Sequence, residues 1–412
     1  DKLARMARPL LWSVAACIGP SLLPFSSRVE CRTRNTGYVL RYYVCISTKG
    51  RPETMETTKE TPTTETPTTE TSESGVDLTG LWIFIGVVAA VFFLLVVLVL
   101  CLKVYNYCIK GVCTSPQQMN GKTVIITGGN AGIGKETAKE LARRKARVIL
   151  ACRNINKGQE AANEIFLETQ QTVVVKHLDL SSLKSVRDFA RDIVFTEPRL
   201  DVLINNAGMA LVDDKLQLTE DGYELAFQTN YLGHFLLTML LLDLLKKTAP
   251  SRVVNVSSAL HHGGATDRME ERIRGTLRSS PTLTYNHTKM ANLMFTIELA
   301  KRLKNDGVTV NALHPGVMET GLSDGLLGRD LAFRFNFWIF GKTATEGAQT
   351  SIYAAVDPKL SGETGCYFSD CRKAWINWRA RNAERNRELF ETSLKLAHLE
   401  VSEGNKQILK DE

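Results

Sequence analysis

Hydrophobic positions along the chain fall into two different patterns. The first is a single uncharged run over residues 80–102, which reads GLWIFIGVVAAVFFLLVVLVLCL. Its length matches the hydrocarbon thickness of a bilayer, and it shows none of the polar positions that a buried core helix of this length would carry. Trp82 lies near one end, and Tyr105 and Tyr107 lie near the other, as is typical of membrane interfaces. The run predicts a single transmembrane helix.

The second pattern begins near residue 121, where short apolar runs alternate with amphipathic stretches. Continuous apolar strands alternating with helices are typical of a parallel sheet covered on both faces. We therefore expect an α/β fold, a doubly wound Rossmann-type parallel sheet over residues 120–400, followed by a polar tail over residues 401–412. The predicted strands are KTVIIT, ARVILA, TVVVKHL, LDVLIN, SRVVNVS and GVTVNAL, and the helices between them include GKETAKELARRK, SLKSVRDFARDIV and KMANLMFTIELAKRLK.

The chain before the apolar run is polar. Residues 52–79 are rich in Thr, Glu and Pro and have too few apolar side chains to offset chain entropy, which predicts a disordered stalk. Residues 1–54 leave two interpretations open: a signal peptide over residues 6–27, or a translation start at Met55 with an artefactual extension before it. The stalk is acidic whereas lysines follow the apolar run, so the positive-inside rule places the C-terminal domain in the cytosol.

Charge and cysteine usage narrow the class of protein. The 51 Lys and Arg against 44 Asp and Glu give a net charge of +7, but the charges are interspersed, which argues against a nucleic-acid-binding arm. The nine cysteines include no CxxC and no Cys/His pairing, so no metal site is predicted. The few, unpaired cysteines of the C-terminal region suit a reducing compartment.

Ligands of doubly wound folds bind at the carboxyl ends of the strands, and the residues there point to a dinucleotide. TGGNAGIG, residues 127–134, follows the first strand, and its glycines allow a tight turn and close approach to a pyrophosphate. Arg153 follows the second strand, where an acidic residue suits NAD and an arginine suits the 2′-phosphate of NADP(H). The residues after the third strand, Asp179 and Leu180, are placed to meet the adenine, and NNAG, residues 205–208, follows the fourth.

The stretch TYNHTKM places Tyr285 and Lys289 four residues apart, on one face of a helix. An ammonium beside a phenol favours the phenolate, so the spacing predicts a lowered pKa for Tyr285 and proton exchange near neutral pH. Taken alone, the pattern also fits a solvated helix face. Two N-x-S/T sequons, at Asn255 and Asn286, fall in the same motifs. We expect them to be unused, in keeping with a cytosolic domain.

In combination, TGGNAGIG, NNAG, NVSS, YNHTK and HPG resemble the short-chain dehydrogenase/reductase family over roughly residues 120–400. Within it, LACRN, NYLGHFLLT, SRVVNVSSALHH, GAQTS and CYFSDCRKAW resemble the microsomal retinal reductase subgroup, the retinol dehydrogenase 11-to-14 type. The resemblance implies an NADP(H)-dependent oxidoreductase of the endoplasmic reticulum membrane that interconverts a lipophilic alcohol and its aldehyde or ketone. For this subgroup, the alcohol and aldehyde that the resemblance implies are retinol and retinal.

The resemblance also implies roles for four residues. Tyr285 is expected to protonate the substrate oxygen, and Lys289 to lower the pKa of Tyr285 and hold the nicotinamide ribose. Ser258 is expected to hydrogen-bond the carbonyl oxygen, and Asn230 to position a relay water. Family members often form homodimers through the helices following Asn230 and containing Tyr285. With the residues after the strands, the expected cofactor site is Gly128, Asn130, Gly132, Ile133, Gly134, Arg153, Asp179, Leu180, Asn206, Ala207, Gly208, Tyr285, Lys289, Pro315, Gly316 and Thr320.

Several alternatives stay open at this point. Ser257 is the neighbouring candidate for the role of Ser258, and His261 and His262 are either loop residues or part of the pocket lining. The aromatic run LAFRFNFWIF, within residues 321–345, fits a substrate lid, a membrane-contact patch or a core helix. A steroid or fatty-aldehyde reductase is a rival of the same class. The rival of another class is a catalytically silent membrane receptor or scaffold with a reductase fold.

Overall fold

The computed structural model describes residues 78–210, 214–318 and 331–399. The N-terminal extension, the stalk up to residue 77, the tail over residues 401–412 and Thr320 therefore lie outside the described residues. Compact packing divides the chain into two units, and residues 91–412 form the second of them. This second unit contains the predicted α/β domain.

An eight-stranded sheet in the order β10-β9-β6-β5-β4-β1-β2-β3 forms the centre of this unit. All neighbouring strands are parallel except β10, which runs antiparallel to β9 at the edge. The prediction of a doubly wound parallel sheet is confirmed, with the six predicted strands in their expected places. The strands are β1 Thr123–Thr127, β2 Arg147–Cys152, β3 Val174–His177, β4 Val202–Asn205, β5 Ser251–Val256, β6 Val308–His314, β7 Val317–Met318, β8 Gly341–Lys342, β9 Tyr367–Ser369 and β10 Arg372–Lys373, of which β7 and β8 form a separate pair.

Helices cover both faces of the sheet. They are α1 Thr79–Ile109, α2 Gly132–Arg143, α3 Ile155–Thr169, α4 Leu183–Thr196, α5 Leu225–Phe227, α6 Gly233–Leu240, α7 Leu242–Lys247, α8 Met269–Ile273, α9 Pro281–Arg302, α10 Leu331–Phe340, α11 Ala344–Val356 and α12 Ala383–Leu396. Neighbouring strand residues point to opposite faces, so Ile125 joins the core under α4, α6, α9 and α12, whereas Val124 and Ile126 join the core under α2, α3 and α11.

Helix α1 is longer than the predicted span of residues 80–102, because it continues to Ile109. Among the described residues it is the one helix long and apolar enough to cross a membrane by length and composition. The chain that follows packs directly on the α/β domain: Lys110 pairs with Glu346 at 2.8 Å, and the amide of Gly111 donates to the Asp370 carboxylate at 3.2 Å. In the chain that follows α1, contacts with the domain therefore begin at Lys110, and the domain bounds of 120–400 stay a prediction.

Helix α12 covers part of α6 and α9. The ring of Phe390 packs against Phe235 at 5.3 Å and against Phe295 at 6.3 Å between ring centroids. In the same core, the hydroxyl groups of Tyr231 and Ser393 share a hydrogen bond of 2.7 Å. Some of the helix surface that the expected homodimer would use is thus buried within this chain, and the homodimer stays a prediction.

Candidate active site

The turn between β1 and α2 can be built only with glycine at defined positions. Gly128 and Gly132 have φ values of +66° and +54°, in the left-handed region that favours glycine. A Cβ at Gly134 would lie 2.4 Å from the Gly128 carbonyl oxygen and 2.6 Å from the Asn206 amide nitrogen. The backbones therefore approach too closely for any side chain, as predicted for a turn that follows the contour of a pyrophosphate.

This turn fits a dinucleotide phosphate group. Helix α2 begins at Gly132 after Ala131, whose side chain has no acceptor to cap the first amides of the helix. Those amides, together with the helix dipole, could hold an anion at the carboxyl edge of the sheet. The donor set is that of a phosphate cradle, and it agrees with the glycine spacing.

A buried hydrogen-bond network joins this turn to the loop after β4. The Thr127 hydroxyl accepts from the amides of Asn206 and Ala207 at 2.9 and 3.0 Å and lies 2.8 Å from His234 Nε2. Because the hydroxyl oxygen already accepts twice, its proton goes to Nε2, and His234 Nδ1 donates to the Asn230 carbonyl at 3.1 Å. Burial lowers the pKa of His234 to about 4, which keeps the ring neutral in this tautomer.

Asn230 occupies a π-helical turn, Gln228–Leu232, between α5 and α6. Its side chain accepts from the Met209 amide and donates to the Met209 carbonyl, each at 2.7 Å. It also donates to the Thr288 hydroxyl at 3.2 Å, and Thr288 in turn donates to the Tyr285 carbonyl at 2.8 Å. Asn230 thus connects the loop after NNAG with the helix that carries Tyr285.

Helix α9 brings Tyr285 and Lys289 to the same site. The helix begins at Pro281 after Ser280, whose side chain accepts from the amide of Leu283, an arrangement typical of helix N-termini. Tyr285 is buried, and its hydroxyl is hydrogen-bonded by Ser258 from the loop after β5. Lys289 Nζ lies 5.4 Å from the centroid of the Tyr285 ring and donates to the Val256 carbonyl at 3.0 Å.

The electrostatics of this pair differ from the expectation based on spacing. Burial raises the pKa of Tyr285 well above its ordinary value, and the hydrogen bond from Ser258 offsets only part of this effect. Burial also lowers the pKa of Lys289 to about 8. Desolvation therefore outweighs the attraction between ammonium and phenolate, and Tyr285 is held as a protonated hydroxyl.

The choice between the two serines follows from their contacts. The Ser257 hydroxyl is buried and donates to the backbone carbonyl of Lys289 at 2.8 Å, so it fixes helix α9. Ser258 instead hydrogen-bonds Tyr285 and accepts from the Leu260 amide at 3.2 Å. Of the two, Ser258 is the one whose hydroxyl reaches the phenol.

The two histidines after Ser258 are loop residues held by the protein. His261 Nδ1 hydrogen-bonds the Ser258 carbonyl at 2.7 Å, and its Nε2 accepts from the Asn377 amide at 3.3 Å. The Asn377 side chain donates to the His262 carbonyl at 2.9 Å. These contacts give both histidine residues a structural explanation and anchor the segment around Asn377 beside the site.

The expected adenosine contacts sit at the ends of β2 and β3. Arg153 is exposed directly after β2. The Asp179 carboxylate accepts from the amide and hydroxyl of Ser181 at 2.9 and 2.6 Å, and Leu180 is buried beside it. All three residues lie on the same edge of the sheet as the glycine turn, because the strands are parallel.

The loop after β6 places Pro315 and Gly316 at the same edge. Gly316 has a φ of +110°, and a Cβ there would lie 2.5 Å from Lys342 Cδ. Lys342 Nζ pairs with Asp370 at 2.6 Å and lies 3.5 Å from the Pro315 carbonyl. The sequence arguments missed Lys342 and His234, since a single lysine in a two-residue strand and a histidine in an apolar helix give no distinctive pattern.

No metal centre competes with this interpretation in the described part of the chain, where no group of three His, Cys, Asp or Glu side chains could hold an ion. The six cysteines of that part are free thiols. The site therefore consists of a phosphate cradle, a buried phenol with a serine partner, and a buried lysine.

Comparisons with known proteins agree with this arrangement. The family model for short chain dehydrogenase matches residues 122–327. Retinol dehydrogenase 11 of Homo sapiens is 46% identical over 296 residues, which cover 71% of this chain and 91% of that protein.

Two solved structures share the fold. A putative uncharacterized protein from Mycobacterium paratuberculosis superposes with a TM-score of 0.57 at 34% identity, covering 71% of this chain and 99% of its own. A short chain dehydrogenase from Shigella flexneri in complex with NADP gives a TM-score of 0.51 at 25% identity, covering 63% of this chain and 100% of its own. The chain belongs to the short-chain dehydrogenase/reductase family, in its retinol dehydrogenase subgroup, and is an oxidoreductase that acts on CH–OH donors with a nicotinamide cofactor.

Proposed function

We propose that this protein is a membrane-anchored, NADP(H)-dependent oxidoreductase that interconverts a lipophilic alcohol and its aldehyde or ketone, with retinol and retinal as the substrate pair. The observation that carries the proposal is the buried Tyr285 hydroxyl, hydrogen-bonded by Ser258, with Lys289 one helical turn away. The identity to retinol dehydrogenase 11 supports the substrate class.

The cofactor supplies and accepts the hydride. The glycine turn, the loop with Asn206 to Gly208, and Pro315 with Gly316 would hold it along the carboxyl edge of the sheet. Gly208 suits this role, because a Cβ there would already lie 3.4 Å from Lys289 Nζ. Thr320, expected to contact the nicotinamide, lies outside the described residues and stays a prediction.

In the reduction direction, the protein has to stabilise and protonate an oxygen that gains negative charge. The Ser258 hydroxyl donates a hydrogen bond to that oxygen, and the Tyr285 hydroxyl delivers the proton. The raised pKa of Tyr285 keeps its proton in place at neutral pH until a stronger base forms beside it. Lys289 would hold the cofactor's ribose and would favour the phenolate left after transfer, and Asn230 would hold a water that returns the proton.

The choice of NADP(H) rests on Arg153. A guanidinium is always charged and binds a phosphate through two parallel hydrogen bonds, and Arg153 is exposed at the end of β2, where the ribose 2′ position of a bound dinucleotide lies. The NADP complex of the Shigella flexneri relative supports the same cofactor.

We assign the anchor to α1 and the location to the endoplasmic reticulum, with the catalytic domain in the cytosol. Asn255 and Asn286 support this topology, because both side chains are buried inside the folded domain, and Asn255 donates to Thr296 at 2.8 Å. A glycan on either would prevent folding. Protease digestion of sealed microsomes tests the assignment: the C-terminal domain should be degraded, and a protected domain would contradict it.

The substrate is tested with microsomes that contain the full chain. NADPH oxidation is followed with retinal, a panel of steroid ketones and fatty aldehydes. Highest kcat/KM with retinal supports the proposal, whereas a preference for a steroid or fatty aldehyde favours the same-class rival. Absence of turnover with every carbonyl would favour a silent receptor or scaffold.

A further inference from the structure

The segment Arg372–Arg381, from β10 to a short helical turn, exposes two tryptophans. Trp375 is 79% exposed and Trp378 is 77% exposed. Two large aromatic side chains at this level of exposure, three residues apart in the chain, mark an interaction site rather than a packing defect. We call this stretch the Trp–Arg segment.

All charged residues of the segment are basic. Its sequence, RKAWINWRAR, contains four basic residues and no acidic one. Lys373 is paired with Glu363 at 2.6 Å, whereas the arginines are exposed, and the Arg379 guanidinium lies 5.7 Å from the ring centroid of Trp378. Tryptophan beside arginine is the combination that suits the headgroup layer of a bilayer with anionic lipids.

The segment lies on the part of the domain that receives helix α1. The turn between β9 and β10 contacts the chain just after that helix, because the Gly111 amide donates to Asp370 at 3.2 Å. Lys103, at the end of the uncharged run, lies 3.6 Å above the ring of Trp338 in α10, which is itself 47% exposed. The domain is therefore docked at the membrane end of its anchor.

Distances agree with a headgroup contact. The seven residues from Lys103 to Ile109 extend the helix by about 10 Å beyond the apolar run. The headgroup layer is about 5 to 8 Å thick on each side of the hydrocarbon. The turn at Asp370, which is bonded to Gly111, therefore lies close to the outer limit of the headgroup layer.

The segment is also connected to the active site. Asn377, between the two tryptophans, donates through its amide to His261 Nε2 and through its side chain to the His262 carbonyl. His261 in turn is bonded to the carbonyl of Ser258. These bonds place the segment beside the loop that carries Ser258.

We propose that the Trp–Arg segment rests in the headgroup layer of an anionic leaflet and holds the substrate side of the active site against the membrane. This inference rests on the proposed membrane anchoring and extends it: the domain has a second, peripheral contact with the lipid. A lipophilic carbonyl then reaches Ser258 and Tyr285 from the bilayer instead of from water.

Tryptophan quenching in lipid nanodiscs tests the contact without any turnover. The full chain is placed in discs of phosphatidylcholine, with or without phosphatidylserine, that carry lipids brominated at shallow or deep positions. The segment signal is the difference between the wild type and Trp375→Phe/Trp378→Phe. We expect it to be quenched by the shallow label, more strongly with phosphatidylserine, and little by the deep label.

Two matched variants make the result specific. Arg379→Glu/Arg381→Glu should remove the effect of phosphatidylserine, whereas Lys184→Glu/Arg191→Glu, the same charge change on exposed side chains of α4, should retain it. Helix α4 follows β3, at the edge of the sheet opposite β10. Quenching of Trp82, measured with Trp82→Phe, reports insertion of the anchor.

An unquenched segment signal in discs where Trp82 is quenched would overturn the proposal, and so would protection of the tryptophans by a second copy of the chain. Enzyme kinetics give an independent test. Trp375→Ala/Trp378→Ala should raise the KM for retinal dissolved in the disc severalfold and leave that for a water-soluble aldehyde unchanged. Failure of all retinal turnover would contradict the proposed substrate and leave the quenching result standing.

Discussion

At the scale of single residues, burial decides the chemistry of the site more than charge pairing does. The spacing of Tyr285 and Lys289 predicts a phenol with a lowered pKa, yet its pKa is raised because the side chain is removed from water. The sequence identifies which residues meet, since helical spacing is a local property. The sequence does not identify whether the pKa of Tyr285 is raised or lowered, since desolvation depends on the residues packed around the pair.

The pKa of Lys289 gives a prediction for the pH dependence. Its folded-state pKa is lowered to about 8, so the ammonium is present below pH 8 and is lost as pH rises through that value. Tyr285 keeps its proton over this range, so kcat/KM for reduction should fall about tenfold per pH unit above 8 as Lys289 becomes neutral. A pH profile of NADPH oxidation measures this.

The matched variant is Lys289→Arg, whose guanidinium stays charged throughout this range. Whatever activity it retains should show no decline at pH 8. A wild-type profile that stays flat from neutral pH to well above 8 would contradict the assignment.

Arg153 gives a second prediction at this scale. Arg153→Ala removes a charge-assisted contact to the 2′-phosphate, so the KM for NADPH should rise about 10- to 100-fold while that for NADH changes little. The control is Arg143→Ala, which removes an exposed arginine of α2 that pairs with Glu140. Equal effects on the two cofactors, or wild-type preference for NADH, would refute the role of Arg153.

At the scale of elements, the sequence predicts the longer strands well, but it predicts neither the shortest strands nor the π-helical turn. Five of the six predicted strands lie inside the sheet, where burial on both faces demands a continuous apolar run, and the sixth, β3, forms one edge and is only partly buried. The short strands β9 and β10 have three and two residues, too few to show a period. The π-helical turn at Asn230 has no local signal, because tertiary bonds to Met209 and Thr288 hold it.

The network through His234 predicts coupling between elements. His234→Leu leaves the Thr127 hydroxyl and the Asn230 carbonyl buried without their partner, which should lower the free energy of unfolding by about 1–3 kcal/mol for each group. Urea unfolding of His234→Leu, Thr127→Val and the double variant measures the coupling. Because the two side chains share one hydrogen bond, their effects should not add.

Thr127→Ser, which retains the hydroxyl, is the control for this cycle. It should keep the affinity for the cofactor close to wild type, whereas Thr127→Val loosens the turn formed by Asn206 and Ala207 and weakens binding. Additive losses in the double variant would show that His234 acts through packing alone.

At the scale of the whole molecule, buried neutral histidines make the domain sensitive to acid. Burial lowers the pKa of His234 and of His261 to about 4 each and that of His314 to about 3, from an ordinary 6.5. Between pH 6.5 and 4 the unfolded chain binds protons that the folded chain does not. The free energy of unfolding is therefore complete above pH 6.5 and falls as pH decreases, by up to about 1.4 kcal/mol per histidine per pH unit.

Thermal unfolding from neutral pH down to about pH 5 measures this effect before most carboxylates titrate. Because of these lowered pKa values, the Tm of the domain should decline steadily below pH 6.5. His261→Asn should reduce the slope, since Asn carries no titrating group. A Tm that is constant over this interval would contradict the buried neutral state of these histidines.

The central claim for the whole molecule is that Tyr285 delivers the proton in an oxidoreductase reaction. Its most direct test compares the wild type with Tyr285→Phe in microsomes, by the rate of NADPH oxidation with retinal. The substitution removes only the hydroxyl, and we expect kcat to fall by about 10² to 10⁴ because the general acid is lost. Equal turnover of the two proteins would contradict the account.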